Sequence, residues 1–106
     1  MNTKQGEVWL ADLGIAAKTR PVVVISRYDA NPPRVLVIYD PLTTQYRNSK
    51  YEVVLPNLKF LNQSSIANVQ GIGSIPIARF ERKLGELPSE VILQIKKAII
   101  FAMDLI

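Results

Sequence analysis

The chain has 106 residues, 48% of them apolar, with 13 basic and 9 acidic side chains and a formal charge of +4. That length predicts one domain, 1–106, with a real core, and the mild basic excess permits a polyanionic partner without demanding one. Cysteine and histidine are both absent, which excludes disulfides, thiolate nucleophiles, sulfur-ligated metals and histidine-dependent triads, and fits a reducing cytosol.

The short polar start, residues 1–6, lacks the pattern of a secretory leader. A first strand is predicted over 7–13, followed by a polar link at 14–19. Pro21-Val22-Val23-Val24-Ile25-Ser26 reads as a second strand. Its four successive β-branched residues imply burial on both faces. Pro21 suits a first strand position, where a missing N–H costs no ladder bond. Asp29-Ala30-Asn31-Pro32-Pro33 marks a turn. A third strand is predicted over 34–39, broken by Asp40-Pro41, and a fourth over 50–55, closed by Pro56. Two short strands are expected at 64–69 and 71–75. Turns about every 8–12 residues point to a small barrel or strongly bent sheet.

From Pro88 the period changes. Val91, Ile92, Ile95, Ala98, Ile99 and Ala102 recur at helical spacing, with Glu90 in the positive first turn. Gln94, Lys96, Lys97 and Asp104 interrupt the tract, so it does not qualify as a membrane span. Ile100, Phe101 and Met103 widen the apolar surface. That excess fits either a dimer contact or a helix sunk in a groove of its own sheet.

Two stretches carry chemistry. Arg20 stands where the second strand begins, so a rigid element holds its guanidinium at a rim. Such a fork either grips a phosphate or merely lays its stem over the core edge. The second stretch, 40–50, contains Thr43, Thr44, Gln45, Arg47 and Lys50. Its hydroxyls and amides suit phosphate oxygens and base edges, and its cations suit phosphates. Tyr46 offers a face for an unpaired base. The bland reading of the same stretch is a solvated loop.

Gly6-Glu7-Val8-Trp9-Leu10-Ala11-Asp12-Leu13-Gly14, the Arg20-Pro21-Val22-Val23-Val24 block and Leu42-Thr43-Thr44-Gln45 together resemble the MazF/PemK family of toxin endoribonucleases. Ser65-Ile66-Ala67-Asn68-Val69-Gln70, Ile75-Pro76-Ile77-Ala78-Arg79-Phe80 and the terminal helix continue the pattern in order. The resemblance implies a mainly β fold with a C-terminal helix, a small bent antiparallel SH3-like barrel. It implies a cytoplasmic homodimer that cuts single-stranded RNA at short sequences without metal or other cofactor. It also implies neutralisation by a cognate antitoxin. In such proteins the arginine before the proline and a threonine after the third strand form the catalytic pair, which carries over to Arg20 and Thr43. Thr44, one residue on, is the neighbouring alternative. Lys18, Thr44, Gln45 and Arg47 are then expected to bind RNA.

Two departures stand out. The 14–19 link is shorter than the usual glycine-rich loop, and Lys18 is the candidate to replace part of its clamp. Gly73 occupies a position where many relatives carry a basic residue, leaving Arg47, Arg79 or Arg82 to compensate; Arg79 and Arg82 read more simply as solvated surface before Leu84.

The chemistry such a site needs is a 2′-OH attacking the adjacent phosphorus while the 5′-oxygen leaves. Arginine is a poor base, so the proton acceptor is unassigned. The alternatives are a non-catalytic binding module of the same fold and, less favoured, a gyrase-poisoning relative. The chain ends Asp104-Leu105-Ile106 rather than in the tryptophan-glycine-isoleucine of that toxin.

Overall fold

The computed structural model describes residues 2–14, 16 and 18–106. Among them run β1 (Glu7–Asp12), β2 (Thr19–Val24), β3 (Leu36–Thr43), β4 (Glu52–Val54), β5 (Ile66–Asn68), β6 (Gly73–Pro76), β7 (Phe80–Glu86) and α1 (Ser89–Met103). The strands form one antiparallel sheet in the order β4-β5-β3-β2-β1-β7, with β6 also paired to β3. This is the expected mainly β architecture with a C-terminal helix. The path ends at β4 and β7, which do not pair with each other, so the bent sheet stays open.

The valines of β2 explain why the sheet has two packed sides. Side chains alternate across a strand. Val23 therefore joins Val8, Leu42 and Val69 in one core, while Val22 and Val24 join Trp9, Val37 and Phe80 in another. All three valines are buried, each gaining about 1.5–3 kcal/mol relative to exposure. The first core is roofed by α1 through Val91, Ile95 and Ala98, at i, i+4 and i+7. Part of the helix is thus sunk on its own sheet. Leu93, Phe101, Met103, Leu105 and Ile106 remain exposed. Among the described residues no helix is long and apolar enough to cross a membrane.

Three local expectations need correction. The Asp40-Pro41 pair does not end β3, which runs on to Thr43. Ile25 and Ser26 donate their N–H groups to Ile38 O at 2.8 and 3.2 Å, so the polar backbone atoms of Ile38 face β2. By alternation, the nitrogen of Pro41 faces the opposite side. There β3 changes partner from β6 to β5, and a 3₁₀ turn (Val69–Gly71) crosses the gap. The missing N–H therefore costs little.

The charged segment Phe80–Glu86 is strand β7, not merely solvated surface. It lies at the sheet edge, where charges discourage further pairing. Register irregularities in its pairing with β1 also break its alternation. The fourth strand is shorter than expected, Glu52–Val54.

Candidate active site

The register of the strands brings the site together. Val24 stands opposite Tyr39, Val23 opposite Asp40 and Val22 opposite Pro41. Carrying that register two residues further would set Arg20 opposite Thr43. The β2–β3 ladder stops before that point, at Val22 and Pro41, while Thr43 pairs with Ile66 of β5 along the opposite edge of β3. A cavity of about 610 Å³ opens there, and Arg20, Thr43 and Thr44 all line it. Leu10 of β1 also lines it, standing opposite Pro21 on one side and Arg82 on the other. Phe60, Asn62, Gln63 and Ser65 close the remaining side from the loop between β4 and β5.

No aspartate or glutamate lines this cavity. Ion pairs among the described residues engage Lys4, Arg79 and Lys83, leaving Arg20 and Arg82 without an acid partner. Among the described residues the only hydrogen bond from the Arg20 guanidinium goes to Thr19 O at 3.4 Å. Two fixed cations facing a space free of carboxylates make an anion site. Thr43 Oγ1 accepts the Gln45 N–H at 3.1 Å. With an acceptor lone pair occupied, the hydroxyl keeps its proton available as a donor. The cavity offers a metal ion no strong ligand, since its lining lacks carboxylates and the chain lacks histidine and cysteine. Among the described residues no cluster of three such ligands occurs elsewhere.

The sequence-derived residues divide into three groups. Arg20, Thr43 and Thr44 share the first cavity. Gln45 and Arg47 line a second depression of about 430 Å³, which Thr43 also borders. Lys18 lines neither; its exposed side chain stands on a left-handed residue, φ 57°, whose N–H donates to Gly14 O at 2.7 Å. Ile15 and Ala17 of the short link lie outside the described residues. Tyr46 also lines neither depression, its hydroxyl donating to Asn48 Oδ1 at 3.0 Å. Lys50 sits 5.5 Å from the Phe101 ring centroid.

Arg79 is the surface residue expected, 4.0 Å from Asp12. Arg82 is exposed as well, and in addition it lines the cavity. Register irregularities in the β1–β7 pairing turn Arg82, opposite Leu10, to the cavity side while Phe80, opposite Ala11, enters the core, and no simple alternation in the sequence signals this. Gly73 is explained locally, since a Cβ there would come within 2.8 Å of Tyr39 Oη. It lines neither depression.

The chain is similar to known proteins in sequence and in fold. The family model described as PemK-like, MazF-like toxin of type II toxin-antitoxin system matches residues 4–103. A probable endoribonuclease, MazF5 of Mycobacterium tuberculosis, is 33% identical over 101 residues, covering 94% of this chain and 92% of its own. Endoribonuclease MazF3 of the same species is 31% identical over 88 residues, 83% of this chain and 85% of that one. Among solved structures, the Mycobacterium tuberculosis toxin MazF-mt6 superposes with a TM-score of 0.82 at 28% identity, covering 92% of this chain and 96% of that one. A mycobacterial endoribonuclease in complex with its cognate antitoxin shares the fold, with a TM-score of 0.84 at 23% identity over 98% and 97% of the two chains. The chain belongs to the PemK-like, MazF-like toxin family.

Proposed function

We propose that residues 1–106 act as a single toxin domain, an endoribonuclease of a type II toxin–antitoxin pair that cuts single-stranded RNA in the cavity between β2 and β3. The observation that carries this reading is the shared, carboxylate-free cavity lined by Arg20 and Thr43, which are far apart in sequence.

The ribose 2′-oxygen attacks the adjacent phosphorus, forming the O2′–P bond as the P–O5′ bond breaks. The products are a 2′,3′-cyclic phosphate and a 5′-hydroxyl. Arg20, with Arg82 beside the same space, holds the phosphoryl oxygens while negative charge grows on them. The Thr43 hydroxyl donates to another of those oxygens. Neither histidine nor carboxylate stands in the cavity to take the 2′ proton, so water or hydroxide takes it and water reprotonates the 5′-oxygen. Orientation of the 2′-OH in line with the leaving oxygen supplies the rest.

Proteins of the same fold include a mycobacterial endoribonuclease in complex with its cognate antitoxin and the MazE–MazF complex of Deinococcus radiodurans. By analogy, this chain pairs with a cognate antitoxin. The exposed Leu93, Phe101 and Met103 of α1 support a homodimer, and the cytoplasm is the compartment where its RNA substrate resides.

The test is incubation of purified protein with mixed single-stranded RNA in excess EDTA. Wild type should cut, and the rate should rise with pH through the neutral range without a maximum. Arg20→Ala should lose about 10²–10³-fold in kcat. RNA left intact by wild type, or equal cutting by Arg20→Ala, removes the catalytic assignment. Binding of RNA without cutting is the second reading, a non-catalytic module, which the absence of a base in the cavity favours.

A further inference from the structure

Thr43 borders both depressions. The first is cationic. The second, about 430 Å³, holds three carboxamides, Gln45, Asn68 and Gln70, beside Arg47, Tyr51 and Glu52. We infer that the second depression receives the nucleobase next to the scissile phosphate, and that Asn68 and Gln70 select which base is accepted. The inference rests on the nuclease reading and deepens it.

Four features carry it. First, the carboxamides of Gln45, Asn68 and Gln70 make no hydrogen bond among the described residues. Each presents a donor beside an acceptor, the pattern that reads one edge of a base. In single-stranded RNA those edges are unpaired and open to reading.

Second, the carboxylate of the group is already satisfied. Glu52 Oε1 accepts from Ser49 N–H at 3.0 Å and Ser49 Oγ at 2.7 Å, and Glu52 Oε2 accepts from Arg47 N–H at 3.0 Å. These bonds hold its carboxyl below the usual range, the Ser49 hydroxyl most of all. Glu52 therefore braces the 47–52 turn and leaves the reading to the amides.

Third, the backbone that carries the readers is held in place. Asn68 ends β5 opposite Glu52, and Gln70 sits in the 3₁₀ turn. Val69 between them is buried, and its N–H donates to Tyr51 O at 2.9 Å. One anchored residue thus sets the separation of two amides.

Fourth, the surroundings suit a nucleotide. Tyr51 supplies an aromatic ring, itself fixed edge-on against Phe101 with centroids 5.2 Å apart. Arg47 supplies a cation for the next phosphate.

The experiment is cleavage of a randomised single-stranded RNA pool, with the cut ends sequenced. Wild type should show a base preference beside the cut. The double variant Asn68→Ala/Gln70→Ala should weaken that preference at one flanking position roughly fivefold or more and raise KM for the preferred site. Gln70→Glu, which replaces a donor with an acceptor, should change the favoured base at that position. A thermal melt alongside confirms that each variant folds. Arg20→Ala, by contrast, should slow cutting with the preference intact. If wild type cuts and both amide variants keep the same preference at every position, this assignment falls while the nuclease reading stands. If wild type leaves the pool intact, both fall.

Discussion

At the rim of the first cavity, Arg20 and Arg82 stand without an acid partner. Three residues back along β3 from Thr43, Asp40 stands with no partner among the described residues for either carboxylate oxygen. The missing counter-charge has opposite consequences in the two places. The guanidinium groups face an open cavity, where water screens them until a phosphate arrives. Asp40 is fully buried, opposite Val23 and on the same face of β3 as Leu42. Burial pushes its carboxyl up from the ordinary 3.8 to about 7. Glu7, another buried acid of the sheet, shows that burial alone does not decide the outcome. Burial raises its pKa too, but bonds from Trp9 Nε1 at 3.1 Å, Lys83 Nζ at 3.0 Å and Lys4 N–H at 2.9 Å bring the net shift below the ordinary value. Unpaired charge is usable at a wet rim and costly in a dry core.

The largest effect expected from this contrast is on stability. The folded chain keeps the Asp40 proton to pH about 7, while the unfolded chain releases it near 3.8. Stability from this group is full below pH 3.8, declines as pH rises through that window and is lost above pH 7. Three pKa units correspond to about 4 kcal/mol. Asp40→Asn removes the titration, so the variant should match wild type at low pH and exceed it by up to about 4 kcal/mol in alkaline buffer. Urea melts at several pH values measure the difference. A gap that stays constant with pH would show that the Asp40 carboxyl has the same pKa folded and unfolded, and a gap of the opposite slope would show that it is partnered in solution.

The next effect tests the rim. Arg82→Ala should lower kcat/KM about tenfold, with Arg82→Lys recovering part of the loss. The melting temperature should barely move, because the side chain is exposed. An unaltered rate would return Arg82 to the solvated surface that the sequence suggests.

The legibility of this chain follows where alternation is visible. The β2 valines announced a strand buried on both faces, and Arg20 at its start was readable for that reason. The helix was readable from its own period. The cavity was only half readable. Arg20 and Thr43 could be named, but their meeting depends on the β2–β3 register, which no local pattern prints. Arg82 was obscured by the register irregularities between β1 and β7. The break expected at Asp40-Pro41 failed because a proline is harmless where a strand changes partner. Asn68 and Gln70 were visible only as part of a familiar block. Their exposure into one depression needs the buried Val69 between them.

The smallest expected effect concerns the wall that gives the cationic rim its shape. A Cβ on Gly85 would collide with the Phe60 ring. Phe60 lines the cavity and also packs against the helix-covered core. Gly85→Ala should therefore displace the ring and destabilise the fold by about 1 kcal/mol, the lower end of overpacking costs. RNA affinity should weaken along with it, because the cations would face a differently shaped space. Phe60→Leu in the same chain should relieve the collision, so the double variant should regain stability relative to Gly85→Ala. The sign of that coupling in a double-mutant cycle identifies the contact. Additive losses would mean that Phe60 leaves Gly85 in solution, and the wall of the cavity would then be something other than this ring.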